Sequence, residues 1–211
     1  MEIVNPIISA YSELHTSAEP TLLNKINRET YAGVHMPRML SGHLQGRFLA
    51  MISKMIRPRA ILEIGTYTGY SAICLAEGLA SDGTLITMDN NEELVTRVRG
   101  YFREAGLDKV IDYRVGDASA LIPLLPGPFD LVWIDADKEN YSHYFDLVID
   151  KVSSGGFVLA DNVLWSGKVL DSNPDKDSRA IQEFNKKVMN DPRVENVLLP
   201  LRDGIMMLAK I

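Results

Sequence analysis

The sequence predicts an α/β fold: a mostly parallel sheet of seven strands, helices on both faces, and an antiparallel hairpin at the C-terminal end. Three observations lead there. From Pro58 onward short apolar runs alternate with helical stripes, as parallel strands joined by crossover helices require. Several runs stop at an acid or amide: Glu63, Asp89, Asp117, Asp135, and Asp161 with Asn162. Near the C-terminus two apolar runs flank Arg202-Asp203-Gly204, and an Asp-Gly pair in that setting reads as a hairpin turn.

Taken in order, the chain up to about Met39 has helical patches at Ser9 to His15 and Thr21 to Tyr31, punctuated by Pro6, Pro20 and Pro37. A longer helix from about Leu44 to Met55 follows, with Leu44, Phe48, Leu49, Ile52 and Ile56 on one face. Strand one is Ala60 to Ile64, followed by a helix from Tyr70 to Leu79. Strand two, Leu85 to Met88, ends at Asp89; a helix from Glu92 to Ala105 follows, with acids at its positive end and Gly106 at its stop. Strand three is Ile111 to Val115, strand four Leu131 to Ile134, and strand five Phe157 to Ala160. Tyr141, Tyr144, Phe145, Val148 and Val152 mark the helix between the last two, and Ser178 to Met189 is another helix. Val194 to Leu199 and Ile205 to Ala209 complete the sheet.

The 211 residues suit one domain, 1–211, made of an N-terminal helical extension (1–40) on a core (41–211). A formal charge of -6 counts against a dedicated nucleic-acid binder. The single cysteine, Cys74, excludes an internal disulfide and reads as a buried thiol. No run is long enough to cross a bilayer and no basic, then apolar, leader opens the chain, so a cytoplasmic protein is expected.

Ligands of open α/β sheets bind beyond the carboxyl ends of the strands. There Asp135, Asp161 and Asn162 would converge as three oxygen donors, a partial set that suits a hard cation such as magnesium and leaves positions for water or substrate. The loop Gly65-Thr66-Tyr67-Thr68-Gly69 after strand one allows close approach of a ligand. It is neither G-x-G-x-x-G nor a Walker loop. Asp89 stands where an acid can accept from both hydroxyls of a ribose, and Asp117 where a carboxylate could meet an adenine amino group. So acidic a rim repels phosphate and suits a neutral or cationic nucleoside, such as a sulfonium. Taken singly, Glu63 could be a solubilising charge at a strand end and Gly69 a point of close helix–sheet packing.

The series Glu63-Ile64-Gly65-Thr66-Tyr67-Thr68-Gly69-Tyr70-Ser71, a strand-end Asp, Gly116-Asp117-Ala118, Asp135-Ala136-Asp137-Lys138-Glu139-Asn140-Tyr141, and Asp161-Asn162-Val163-Leu164-Trp165-Ser166-Gly167 resembles one family. It is the cation-dependent O-methyltransferases, the group of caffeoyl-CoA and catechol O-methyltransferases, whose fold is the Rossmann-like methyltransferase sheet. The resemblance implies S-adenosylmethionine as methyl donor and magnesium, or another divalent cation such as manganese or calcium. It places Ser41, Glu63, Gly65, Thr66 and Ser71 around the methionine part of the donor. Asp89 falls on the ribose, Asp117 and Ala118 on the adenine, and Asp137 and Asp135 among further donor contacts. Asp135, Asp161 and Asn162 match the metal ligands, and Lys138 matches the proposed base. It further implies a homodimer and a vicinal aromatic diol as acceptor.

The acceptor positions follow neither branch of the group: Asp137 stands where animal catechol enzymes carry tryptophan, Pro200 where they carry glutamate, and Ser166 where plant enzymes carry asparagine. Two other readings stay open on sequence. One is methylation of a hydroxylated uridine in transfer RNA; the acidic balance counts against it, though Arg38, Arg47, Arg57 and Arg59 could form a local basic patch. The other is a nucleoside-binding module without catalysis. The polar segment from Trp165 to Asp177 reads as a mobile lid over the acceptor, and the N-terminal segment before Leu40 is expected to line the acceptor side.

Overall fold

A computed structural model describes residues 3–211. Helix α1 (Pro6–Leu14) and helix α2 (Thr21–Gly33) form the N-terminal extension. Helix α3 (Gly42–Ile56) leads into the sheet. The elements then alternate: β1 (Ala60–Ile64), α4 (Tyr70–Ala76), β2 (Thr84–Asp89), α5 (Val95–Glu104), β3 (Ile111–Val115), α6 (Ala118–Leu121), β4 (Phe129–Ile134), α7 (Tyr141–Ile149), β5 (Val152–Asp161) and α8 (Lys176–Met189). Strands β6 (Val194–Leu199) and β7 (Ile205–Lys210) close the chain.

The seven strands lie in the order β3-β2-β1-β4-β5-β7-β6. All pairs from β3 to β5 are parallel, while β7 runs antiparallel to both β5 and β6. The chain moves outward from β1 to β3 and then returns to β4. The switch point therefore lies between β1 and β4, where an open α/β sheet forms a crevice at its carboxyl edge.

Adjacent residues of each central strand serve opposite faces. Ile61, Leu131 and Trp133 pack under α2 to α5, with Leu23, Leu49, Leu75 and Phe102. Leu62, Val132 and Ile134 pack under α7 and α8, with Tyr141, Phe145, Ile181 and Phe184. Burial on both faces explains why these strands read as unbroken apolar runs.

Strand β5 begins five residues before the expected Phe157. Its first half, Val152-Ser153-Ser154-Gly155-Gly156, has no apolar alternation to betray it, and its pairing with β4 carries a register irregularity between Phe129 and Leu131. The expected helix from Glu92 splits into a 3-10 turn, Glu92–Leu94, and α5, with Asn91 Oδ1 accepting from Glu93 N at 3.0 Å. Among the described residues, no helix is long and apolar enough to cross a membrane.

The four arginines do not gather. Arg38 precedes α3 and Arg57 follows it, and a 15-residue helix separates them by about 22 Å. Arg47 is taken by Glu77, with Nη2 2.5 Å from Oε1. Among the described residues these four arginines do not form a single basic patch, so nothing here favours the transfer RNA reading.

Candidate active site at the carboxyl edge of the sheet

The sheet register brings the acids together. Ile64 pairs with Met88 on one side and Ile134 on the other, and Ile134 pairs with Ala160. Glu63, Asp89, Asp135 and Asp161 thus emerge on one edge, with Asp117 just beyond β3.

Gly65 holds the two halves of this edge together. Its amide donates to Met88 O at 2.9 Å, and the Asp135 amide donates to Ile64 O at 2.9 Å. A Cβ built on Gly65 would lie 1.9 Å from Asp135 O, and its φ is +105°. No other residue fits this approach.

Below the glycine loop lies a buried polar nest of Glu63, Thr66, Thr68, Ser71 and Thr87. Thr87 Oγ1 donates to Glu63 Oε2 at 2.5 Å, and Thr66 Oγ1 is 2.5 Å from Thr87 Oγ1. Glu63 Oε1 is buried without a hydrogen-bond partner. Burial pushes the Glu63 carboxyl up to about 8, against the pull of the Ser71 and Thr87 hydroxyls. An orphaned carboxylate oxygen beneath a glycine loop fits a cationic amine such as the α-amino group of a methionine moiety.

Asp89 does more than its sequence position suggests. Its Oδ2 accepts the Tyr67 amide at 2.7 Å and its Oδ1 the Asn91 amide at 2.9 Å. It therefore shapes the glycine loop while leaving one lone pair on each oxygen for a ligand. Asp117 is the exposed N-cap of α6, with Oδ1 accepting from Ser119 N at 2.9 Å. Ala118 is the first residue of that helix.

The N-terminal extension is strapped over the glycine loop and the helices beside it. Tyr70 Oη donates to Glu19 Oε1 and Tyr101 Oη to Glu29 Oε2, each at 2.5 Å. Thr30 Oγ1 meets Thr68 Oγ1 at 3.3 Å, and Tyr67 Oη donates to His35 O at 3.0 Å. The sequence reading expected this segment on the acceptor side. Its end meets the hairpin: Arg202 of the β6–β7 turn donates to Leu40 O at 3.2 Å and to Ser41 O, just before α3.

On the other side of the switch point, Asp135 and Asp161 sit level at the ends of β4 and β5. Asp161 is buried, and desolvation, reinforced by the charge of Asp135, holds its carboxyl well above the ordinary range. Asn162 follows in the left-handed region, with φ +59°. Among the described residues no three His, Cys, Asp or Glu side chains form a metal centre by themselves. The set here is two carboxylates and one amide. Crowded carboxylates with an amide oxygen are the donor chemistry of a hard cation, so these residues fit one.

Lys138 opens a 3-10 turn, Lys138–Asn140, ahead of α7. Its Nζ lies 3.3 Å from Asp135 Oδ1 and 2.7 Å from Tyr141 Oη, and 5.7 Å from the centre of the Trp165 ring. Asp137 next to it accepts from Tyr144 Oη at 2.6 Å and from Asn140 Nδ2 at 2.5 Å.

The segment from Trp165 is folded and tethered at its start. Trp165–Leu170 forms 3-10 turns around Ser166 and Gly167 at positive φ. The segment is tied to the hairpin by the Ser166 amide on Asp203 Oδ1 and the Leu164 amide on Asp203 O at 2.9 Å. Gln182 Nε2 of α8 donates to Val169 O at 2.8 Å. These anchors come from α8 and the hairpin, which the local composition could not show.

Comparison with known proteins follows the same outline. The sequence model of the O-methyltransferase family matches residues 13–211. A caffeoyl-CoA O-methyltransferase of Mesembryanthemum crystallinum is 39% identical over 180 residues, covering 79% of this chain and 71% of its own length. The one from Medicago sativa is 36% identical over 184 residues, covering 79% and 73%. Among solved structures, the O-methyltransferase of Bacillus cereus in complex with SAH superposes with a TM-score of 0.89 at 28% identity, covering 97% of both chains. The SAH-bound methyltransferase of Podospora anserina gives 0.90 at 27%, covering 97% of this chain and 94% of its own.

Proposed function

The chain belongs to the O-methyltransferase family and is an S-adenosylmethionine-dependent enzyme of that family; on this premise we propose that it methylates one hydroxyl of a vicinal aromatic diol, a catechol or caffeoyl-type acceptor, with a divalent cation. The observation that carries the reading is the level pair Asp135 and Asp161, with Asn162 beside it and Lys138 Nζ 3.3 Å from Asp135 Oδ1.

Each residue then has a task. Glu63, with Gly65, Thr66 and Ser71 around it, receives the amino end of the donor. Asp89 accepts from the ribose hydroxyls, Asp117 and Ala118 border the adenine, and Ser41 and Asp137 close the pocket. Asp135, Asp161 and Asn162 hold magnesium, or manganese or calcium in its place. When bound, the cation acidifies an adjacent hydroxyl and fixes its direction. Lys138, steadied by Tyr141, takes the hydroxyl proton. S-adenosylmethionine, held by the donor residues, would supply the methyl group, its C–S bond breaking as the oxygen–carbon bond forms and S-adenosylhomocysteine remaining. In-line alignment of bound groups supplies much of the acceleration.

A methyl-labelled donor offered with catechol and with a caffeoyl thioester tests the reading. Label should enter one hydroxyl with magnesium or manganese and not in excess chelator. Full turnover under chelation would remove the metal role, and no turnover of either acceptor would remove the diol. We also propose a homodimer, supported by Ile7, Tyr11 and Leu14 on α1, 62% exposed or more, and by the exposed Met51 and Met55 on α3. Sedimentation at micromolar concentration tests it.

A further inference from the structure

Gln45 lies in the first turns of α3 and is fully buried. A buried primary amide needs partners at both ends, and this one has them. Gln45 Nε2 donates to Asp161 Oδ2 at 2.6 Å, and Gln45 Oε1 accepts from Arg202 Nη1 at 2.7 Å. The orientation is forced. Reversing the amide would set an oxygen against a carboxylate and an N–H group against a guanidinium.

The three residues come from distant parts of the chain: α3, the end of β5 and the β6–β7 turn. The other oxygen of Asp161 accepts its neighbour's amide, Asn162 N, at 2.8 Å. Gln45 is therefore the bond that sets the torsion of the carboxyl group from outside the strand. Arg202 in turn holds Gln45, and the same nitrogen holds Leu40 O and Ser41 O.

Resting on the metal reading of Asp161, we propose that Gln45 is a positioning residue for the cation site. Arg202 fixes its amide, and the amide aims the Asp161 carboxylate. The relay ties the hairpin turn to the metal side through the same helix end that the resemblance puts at the donor. Outer partners that orient a ligating carboxylate are typically worth about 10- to 100-fold in metal affinity.

Manganese binding, followed by electron paramagnetic resonance of the free ion, tests this on the whole chain. S-adenosylhomocysteine binding is measured without metal beside it. The parent should bind manganese and Asp161→Ala should not. Gln45→Met keeps the length and loses the amide; it should weaken manganese at least tenfold and leave S-adenosylhomocysteine within twofold. Arg202→Met should weaken manganese in the same direction, and should add nothing further in the Gln45→Met background. A folded Gln45→Met protein with manganese affinity within twofold of the parent overturns the proposal, as do additive effects of the two substitutions. If Gln45→Met does not fold, an unchanged manganese affinity in Arg202→Met overturns it. A parent that binds no manganese fails differently: it removes the metal reading and this inference with it.

Discussion

The two sides of the switch point are built on opposite principles. On the donor side, polar groups are largely satisfied from within: Asp89 holds two backbone amides, Thr66 and Thr87 chain to Glu63, and α2 covers the glycine loop. Glu63 Oε1 is left without a partner. On the side proposed for the metal, Asp161 is buried within the influence of the Asp135 charge, and the pair is relieved only in part, by Lys138 3.3 Å from Asp135 and by Gln45 2.6 Å from Asp161. A pocket that recognises a whole nucleoside gains from rigidity. A site built to take a cation and a proton, as proposed for this one, would keep charge uncompensated until its ligand arrives.

Gly65 joins the two sides, so its replacement should break both. Gly65→Ala, with a Cβ 1.9 Å from Asp135 O, should cost several kcal/mol of stability, about 4 or more, and abolish donor binding. Chemical denaturation reads this, and an unchanged midpoint would show that the sides are not locked together.

Lys138 should affect chemistry alone. Lys138→Ala should cut turnover by about 10²–10⁴-fold with little change in donor or manganese affinity. Lys138→Arg should fail as well, because guanidinium does not give up its proton at working pH. If Lys138→Ala recovers strongly as pH rises, the lysine is a base. A near-parental rate at neutral pH would leave activation of the hydroxyl to the metal alone.

Asp89→Ala should weaken S-adenosylmethionine binding by about 1–3 kcal/mol, from charge-assisted bonds lost to ligand and loop together. Manganese affinity should stay within twofold. Calorimetry separates the two, and a parallel loss of both would erase the contrast between the sides.

The smallest effect is in the pH profile. Glu63 is raised in the folded protein, to about 8 from the ordinary 4.5. The folded state then holds a proton that the unfolded state releases. Its contribution to stability is full below about pH 4.5 and is lost as pH rises toward about 8. Glu63→Gln should flatten the stability profile across that window. Donor binding near neutral pH should release a proton in the parent and not in the variant, measured by calorimetry in buffers of different ionisation enthalpy. Equal proton release in both would place the amino group elsewhere.

The sequence by itself determined the strand ends and what stands on them. Burial on two faces turns strands into apolar runs, and the polar residue that stops each run is local information; Glu63, Asp89, Asp135 and Asp161 were legible for that reason. Gly106 and the Asp203-Gly204 turn were legible because positive φ restricts residue type, and the structure gives +70° at Gly106 and +88° at Gly204. Tertiary structure alone decided what those ends touch. Gln45, 116 positions from Asp161, and Arg202, 157 from Gln45, meet only when helix, sheet and hairpin close on one another. A buried glutamine inside an amphipathic helix carries no local mark of its partner. The polar composition of 165–177 reads as a mobile lid, and it does not show that Gln182 and Asp203 tether the segment from other elements. Hydrogen bonds across such distances in sequence follow from packing, and no periodicity in the chain encodes them.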